Sequence, residues 1–221
     1  MKLAVLASGR GSNLRAIADA IDRGACAASI VAVVSDKDDA GALAFAAERG
    51  VASAIVRPKA YESRALWDAA LAEAVASFSP DLVVLAGFMR IIGGAMLDRF
   101  SHRIVNVHPA LLPSFPGAHG ARDAIAKGVR ISGCTVHLVD AGVDTGPILA
   151  QAAVSVWPSD DEASLQARIQ REEHRLLPAV IDAIAKGAIV LGERPQLAST
   201  LAFDERALIS PALISAPLST R

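Results

Sequence analysis

Five short runs in the first half of the chain, Leu3–Ala7, Ile30–Ser35, Ala54–Val56, Leu82–Ala86 and Ile104–Val107, are apolar with few interruptions. A strand with one wet face alternates polar and apolar residues, so runs without alternation belong to strands covered on both sides. Amphipathic stretches separate them, around Asn13–Arg23, Ala40–Arg49 and Ser63–Phe78, and Gly24, Gly50 and Pro80 stand where each helix should stop. Buried strands alternating with helices predict an α/β fold with a mostly parallel central sheet and helices on both faces.

The texture changes after His108. "PALLPSFPGAHG" reads as a Pro/Gly loop, followed by a short helix near Ala121–Lys127. "CTVHLV" and "ILAQAAVSV" read as strands joined by the loop "DAGVDTGP", and a long helix is predicted over Asp161–Lys186, closed by Gly187. Pro178 is expected to kink that helix or end its first segment. A last strand is expected at Ile189–Leu191, and no internal repeat or linker is visible. One domain over residues 1–195 is expected, with 196–221 as a C-terminal extension of unassigned structure.

A net charge of -1, with no block of Lys and Arg, argues against a nucleic-acid surface, so any phosphate recognition must be local. Cys26 and Cys134 stand far apart without metal-ligand spacing, which suits a reducing, cytoplasmic compartment. No apolar stretch approaches the ~20 residues that span a bilayer.

The first strand runs into "VLASGRGSN", a glycine-rich turn. A dinucleotide fingerprint needs a third glycine, and Leu14 stands in its place; Asp36, at the end of the second strand, matches only the ribose-binding acid of that pattern. No Gly-Lys-Ser/Thr follows, which excludes a P-loop. What remains is Gly11, Ser12 and Asn13 at a helix N-terminus, a geometry suited to one phosphate monoester. The same residues also fit an ordinary turn with Ser12 or Asn13 as N-cap.

"RIVNVHPALLP" carries the chemistry. Alternate residues of a strand share a face, so Asn106 and His108 point the same way at the C-terminal end of a parallel strand, where open α/β sheets build their sites. A polar pair ending a strand is the plainer reading, but an Asn within so apolar a run needs a partner. Asp140 and Asp144 lie in the later glycine-containing loop; either one fits as the carboxylate that orients the histidine and favours its charged form, or as a turn stabiliser. Without a Ser or Cys nucleophile nearby, the set suits direct transfer through a tetrahedral intermediate. Glu173 falls inside the apolar stripe Leu165, Ile169, Leu176 and Val180, as an ion-paired residue or a ligand contact, with Gln170 at the edge. "LAGFMRII" is either a helix start or an apolar slot for a flat heterocycle.

Together "VLASGRGSNLRAI", "PDLVVLAGFMRI", "NVHPALLPSFPGAHG", "VDAGVDTGPILAQ" and "RIQREEHRLLP" resemble the phosphoribosylglycinamide formyltransferase family, folate-dependent formyltransferases of purine synthesis. The resemblance implies a Rossmann-like sheet whose N-terminal half holds a ribonucleotide phosphate and whose C-terminal half meets it around the folate. It implies transfer of a formyl group from 10-formyltetrahydrofolate to the amine of glycinamide ribonucleotide, in the cytoplasm, by a monomer or homodimer without metal, nucleic acid or membrane. Asn106, His108 and Asp144 take the catalytic positions, with Asn106 and His108 holding the oxyanion and Asp144 keeping His108 charged. Gly11, Ser12 and Asn13 fall at the phosphate, Gln170 and Glu173 near phosphate and ribose, and Arg64, Met89, Arg90, Ile91 and Ile92 join Asn106 around the folate.

The family often carries a second histidine where this chain has Ala121. Among relatives, formyltetrahydrofolate deformylase shares the Asn, His and Asp set but has a regulatory domain ahead of the first strand, which here begins at Leu3. Methionyl-tRNA formyltransferase adds a tRNA-binding domain and a basic surface. A non-catalytic nucleotide-binding protein of the same fold is the remaining alternative, and the presence of all three catalytic-type residues speaks against it.

Overall fold

A computed structural model describes residues 1–198 together with the backbone pairing of 209–210. In chain order the elements are β1 (Lys2–Leu6), α1 (Ser12–Asp22), β2 (Ser29–Ser35), α2 (Gly41–Glu48), β3 (Ala52–Ile55), α3 (Arg64–Ala76), β4 (Leu82–Leu85) and α4 (Gly94–Arg99). They continue with β5 (Ile104–His108), α5 (Gly120–Lys127), β6 (Ile131–Leu138), β7 (Ile148–Ser155), α6 (Glu162–Ala185), β8 (Ile189–Val190), β9 (Gln196–Leu197) and β10 (Ile209–Ser210).

The main sheet has the order β3-β2-β1-β4-β5-β6-β7-β10. Strands β1 to β5 run parallel, β6 lies antiparallel to β5 and β7, and β10 pairs antiparallel with β7. Strand order reverses between β1 and β4, and the crevice beyond the C-terminal ends of these strands is where such sheets receive ligands. The short pair β8–β9 stands apart from this sheet. The remaining residues of the predicted C-terminal extension lie outside the described residues.

Two apolar layers explain the unbroken strand runs. Leu3, Val5 and Ala7 pack into a cluster with residues of α1, α2, α5 and α6, whereas Ala4 and Leu6 pack with Trp67 and Leu71 of α3 and Met96 of α4. Alternate residues of β1 therefore meet helices on opposite sides of the sheet, at ~25 cal/mol per Å² of apolar surface removed from water. Ser63 begins α3 by accepting from Leu66 N at 3.2 Å, and Asp161 with Ser164 forms a reciprocal capping box at the start of α6.

Helix α6 runs on through Pro178 instead of ending there. Proline removes one helical donor, but Pro178 is buried between Leu177 and Val180, and packing of that face holds the helix together. Helix α4 had no separate signal in the sequence, being only six residues long. Asp68 builds its start from a distance, accepting from Gly93 N at 2.9 Å and Ala95 N at 2.8 Å. Among the described residues no helix is long and apolar enough to cross a membrane.

Gly133 marks the tightest point of the β6–β7 ladder, since a Cβ there would lie 1.9 Å from the Ala152 carbonyl oxygen. Gly133→Ala is expected to lose roughly 1–3 kcal/mol in denaturant unfolding. Gly94→Ala, where a Cβ meets nothing within 4 Å, should lose none of that stability. Equal midpoints for the two variants would refute this account of the ladder.

Candidate active site

The antiparallel return of β6 sets the site. Register pairs Asn106 with His137 and His108 with Thr135. Asn106 Nδ2 donates to His137 Nε2 at 3.1 Å, while His137 Nδ1 donates to Leu138 O at 2.8 Å. That second bond places the imidazole proton on Nδ1, so Nε2 accepts and the second Asn106 amide hydrogen is left over for another partner. Asn106, His108, His137 and Asp144 share a cavity of about 320 Å³ with the Met89–Ile92 segment.

His108 is buried and clamped on both nitrogens. Nε2 lies 2.8 Å from Phe115 O and Nδ1 lies 3.3 Å from Asp144 Oδ2. Both clamping residues hold left-handed backbone, with φ of 56° at Phe115 and at Asp144. For a bulky aromatic that conformation is strained, and the strain aims a carbonyl at the catalytic-type ring. Asp144 also accepts from Gly117 N at 2.8 Å and approaches His137 Nε2 at 3.5 Å. Burial tends to raise its pKa, but the two imidazoles beside it and the hydrogen bond from Gly117 N hold it below the usual carboxylate value. Asp140, the other carboxylate of the loop, turns to Gly142 N and the Thr145 hydroxyl instead, so it acts on the turn.

Asp144 acts on His108 in favour of the charged form, and burial acts against it. Burial pushes His108 below the ordinary imidazole value, and the Asp144 carboxylate and Phe115 carbonyl push it back only in part. Two acceptors facing one ring favour the cation, while desolvation opposes it, and desolvation prevails. Because the carboxylate is an upward influence, Asp144→Asn should move the His108 titration, followed by NMR, to lower pH. An unchanged or higher midpoint would show that the two groups are not coupled.

Sequence reading missed the residues that hold this arrangement. Phe115 acts through its backbone and leaves no compositional trace. Thr135 is fully buried, accepts from Leu112 N at 3.0 Å and donates to Ala110 O at 2.7 Å, while Gln151 Nε2 donates to Leu112 O at 2.9 Å. These bonds fix the loop that follows His108. The signal for His137 and Thr135 was their two-residue spacing in "CTVHLV", which mirrors that of Asn106 and His108.

At the glycine turn, Gly11 occupies the N-cap position with φ 75°, and no side chain caps α1. A Cβ there would sit 3.0 Å from Ala42, so the turn needs glycine for both conformation and space. The alternative with Ser12 or Asn13 as N-cap is therefore incorrect, because both lie inside the helix with side chains engaged elsewhere. Gln170 Nε2 donates to Ser12 Oγ at 2.9 Å, and Asn13 Nδ2 donates to Glu173 Oε2 at 2.9 Å. The first turn of α1 thus meets α6 through two polar pairs beside its free N–H groups.

Glu173 has no cationic partner in that contact, and burial pushes its carboxyl above the usual value. A raised folded pKa means that the native state holds the proton more tightly than the unfolded chain, so this contribution to stability is lost as pH rises through the folded value. Glu173→Gln keeps the shape without ionising. Its stability relative to wild type should increase as pH rises from ~4.3, the unfolded glutamate value. A difference that is flat with pH in urea titrations would remove Glu173 as the cause.

The Met89–Ile92 segment is an irregular loop between β4 and α4. Met89 and Ile91 are largely exposed and Ile92 is buried. Met89 N donates to Ser8 Oγ at 2.8 Å, and Arg90 Nε donates to Asp36 Oδ2 at 2.7 Å. Arg64 reaches the loop indirectly, donating to Ile91 O. His119 precedes α5, while Ala121 is buried. Cys26 and Cys134 are unpaired and buried, which pushes the Cys26 thiol up to about 11 and Cys134 further upward. Neither supplies a thiolate at neutral pH.

A sheet with this switch point and an Asn, His and Asp set at its C-terminal edge defines a group-transfer enzyme of the formyl transferase type. Residues 1–181 match the family model described as formyl transferase, and the chain belongs to that family. Within it, the chain is similar to phosphoribosylglycinamide formyltransferases. It is 52% identical over 192 residues to that of Mycobacterium tuberculosis, covering 86% of this chain and 88% of the relative. The Escherichia coli protein of the same name is 40% identical over 193 residues, covering 87% and 91%. The crystal structure of glycinamide ribonucleotide transformylase 1 from Symbiobacterium toebii superposes with a TM-score of 0.87 at 46% identity, covering 90% of this chain and 94% of that one.

Proposed function

We propose that this chain transfers the formyl group of 10-formyltetrahydrofolate to the amine of 5-phosphoribosylglycinamide, a step of purine biosynthesis. The observation that carries this reading is the joint placement of Asn106, His108 and Asp144 in the cavity walled by Met89–Ile92. The uncapped start of α1 opens at the same edge of the sheet. Three sites are needed: one for a phosphate, one for a flat heterocycle, and one for the acyl centre between them.

At α1, the N–H groups next to Gly11, Ser12 and Asn13 receive the phosphate, and the helix dipole favours its charge. Gln170 and Glu173, already bonded to Ser12 and Asn13, stand beside phosphate and ribose. The apolar side chains of Met89, Ile91 and Ile92 offer the slot for the pterin, with Arg90 at its wall and Arg64 bracing Ile91.

The substrate amine then attacks the formyl carbon. A new C–N bond forms and the carbonyl pair moves to oxygen. Asn106 still has an amide hydrogen to donate to that oxyanion. His108 starts below its ordinary pKa, and a growing negative charge beside it raises its proton affinity. It is therefore most cationic when the oxyanion is fullest, and stabilisation is concentrated at the transition state. Asp144 steadies the ring and orders the water that takes the proton from the attacking nitrogen to N10. The C–N10 bond breaks, leaving formylated product and tetrahydrofolate.

The chain is read as one domain over residues 1–195, acting in the cytoplasm on these two small molecules as a monomer or homodimer. Incubation with 10-formyltetrahydrofolate, with and without the ribonucleotide, tests the reading. Tetrahydrofolate release should depend on the ribonucleotide; release without it would indicate a deformylase, and none at all a binding protein. His108→Ala should lower kcat by about 10²–10³, the scale of losing one oxyanion-stabilising group. Ribonucleotide affinity should hold, and near-normal turnover would overturn the assignment.

A further inference from the structure

Asp36 is a buried carboxylate that the proposed chemistry does not use. It follows β2 at the position of a dinucleotide fold's ribose acid, yet its side chain is fully shielded from solvent. Its Oδ2 accepts from Arg90 Nε at 2.7 Å, across 54 residues of sequence. Its Oδ1 is buried without a well-formed hydrogen bond. Ser8, also buried, accepts from Met89 N at 2.8 Å and so holds the residue next to Arg90. Burial acts to raise the Asp36 pKa, but Ser8 and Arg90 together hold it below the usual value.

We propose that Asp36 is a positioning residue for the folate slot: through its pair with Arg90, next to the Met89 N that Ser8 holds, it fixes the Met89–Ile92 loop. The proposal rests on the reading of that loop as the 10-formyltetrahydrofolate site. A carboxylate removed from water must be ionised and bonded to be tolerated, and Arg90 is the only cation that meets it among the described residues. The pair thus ties the loop after β4 to the end of β2, with Ser8 tying it to the end of β1. Asp68 and Arg64 secure the far end of the loop at Gly93 and Ile91. With Arg90 Nε bound inward, the guanidinium contributes to the slot by shaping the backbone rather than by gripping the ligand.

The test measures 10-formyltetrahydrofolate binding by calorimetry without ribonucleotide, alongside steady-state kinetics, for Asp36→Ala, Asp36→Asn, Arg90→Ala and the double variant D36A/R90A. Asp36→Ala should raise Kd and KM for the folate by about tenfold, the scale of one charge-assisted hydrogen bond. Its kcat and its KM for the ribonucleotide should stay within about twofold. Asp36→Asn keeps an acceptor oxygen in place and should recover most of the loss. Arg90→Ala should match Asp36→Ala, and the double variant should be no worse than either single one. Additive losses, unchanged folate binding, or an equal rise in the ribonucleotide KM would overturn the proposal. If Asp36→Ala fails to fold, the double variant D36A/R90A decides, because it leaves no unpaired buried charge; unchanged folate affinity there also overturns it. A wild-type protein that binds no folate would instead sink the functional reading itself.

Discussion

The antiparallel pairing of β5 with β6 is the constraint on which the candidate site depends. A parallel neighbour would run its residues past Asn106 and His108 in the opposite order and would end beside them without turning back into the crevice. The chain instead passes through α5 and returns antiparallel, and register brings His137 and Thr135 opposite the two polar residues. Asn106 thereby finds a side-chain partner inside an apolar sheet, where an unpaired polar group would cost about 1–3 kcal/mol. The same return delivers the 140–147 loop to the strand end and with it Asp144. Fold and site are joined at this one ladder.

The parallel half of the fold was legible because burial on both faces is written directly into composition. Leu3–Ala7 and Leu82–Ala86 have no polar face to hide, so they had to be central strands. Helix α4 was not legible: its capping carboxylate, Asp68, lies on another helix. Pro178 does not end α6: local propensity argues for a break there, and the buried face of the helix overrides it. At the site, spacing exposed Asn106 and His108, and resemblance singled out Asp144 from Asp140. Phe115 had no such trace, because only its carbonyl and its left-handed backbone take part.

Three buried ionisable groups show how environment divides roles among similar side chains. Asp36 has a guanidinium and a hydroxyl and stays ionised. Glu173 has only an amide donor, and burial pushes it toward the neutral acid. His108 lies between these cases, with one carboxylate and one carbonyl acting against its desolvation. Each unit of pKa is about 1.36 kcal/mol of difference between protonation states. A group left between opposing influences in this way responds most to a charge that appears beside it, and in the proposed reaction His108 is the group next to the formyl carbon.

The glycine turn shows why local sequence alone did not separate a phosphate site from a capped helix. Both readings use Gly, Ser and Asn before an apolar helix, and they differ only in where the side chains point. Here Ser12 and Asn13 are drawn to Gln170 and Glu173 of α6. Helix α1 consequently begins without a side-chain cap, leaving backbone donors at the crevice. The later part of the chain takes away the polar side chains that would otherwise have closed the helix end. The uncapped start of α1 therefore depends on α6 being docked, and the phosphate site proposed there would share its stability with the packing of the last long helix.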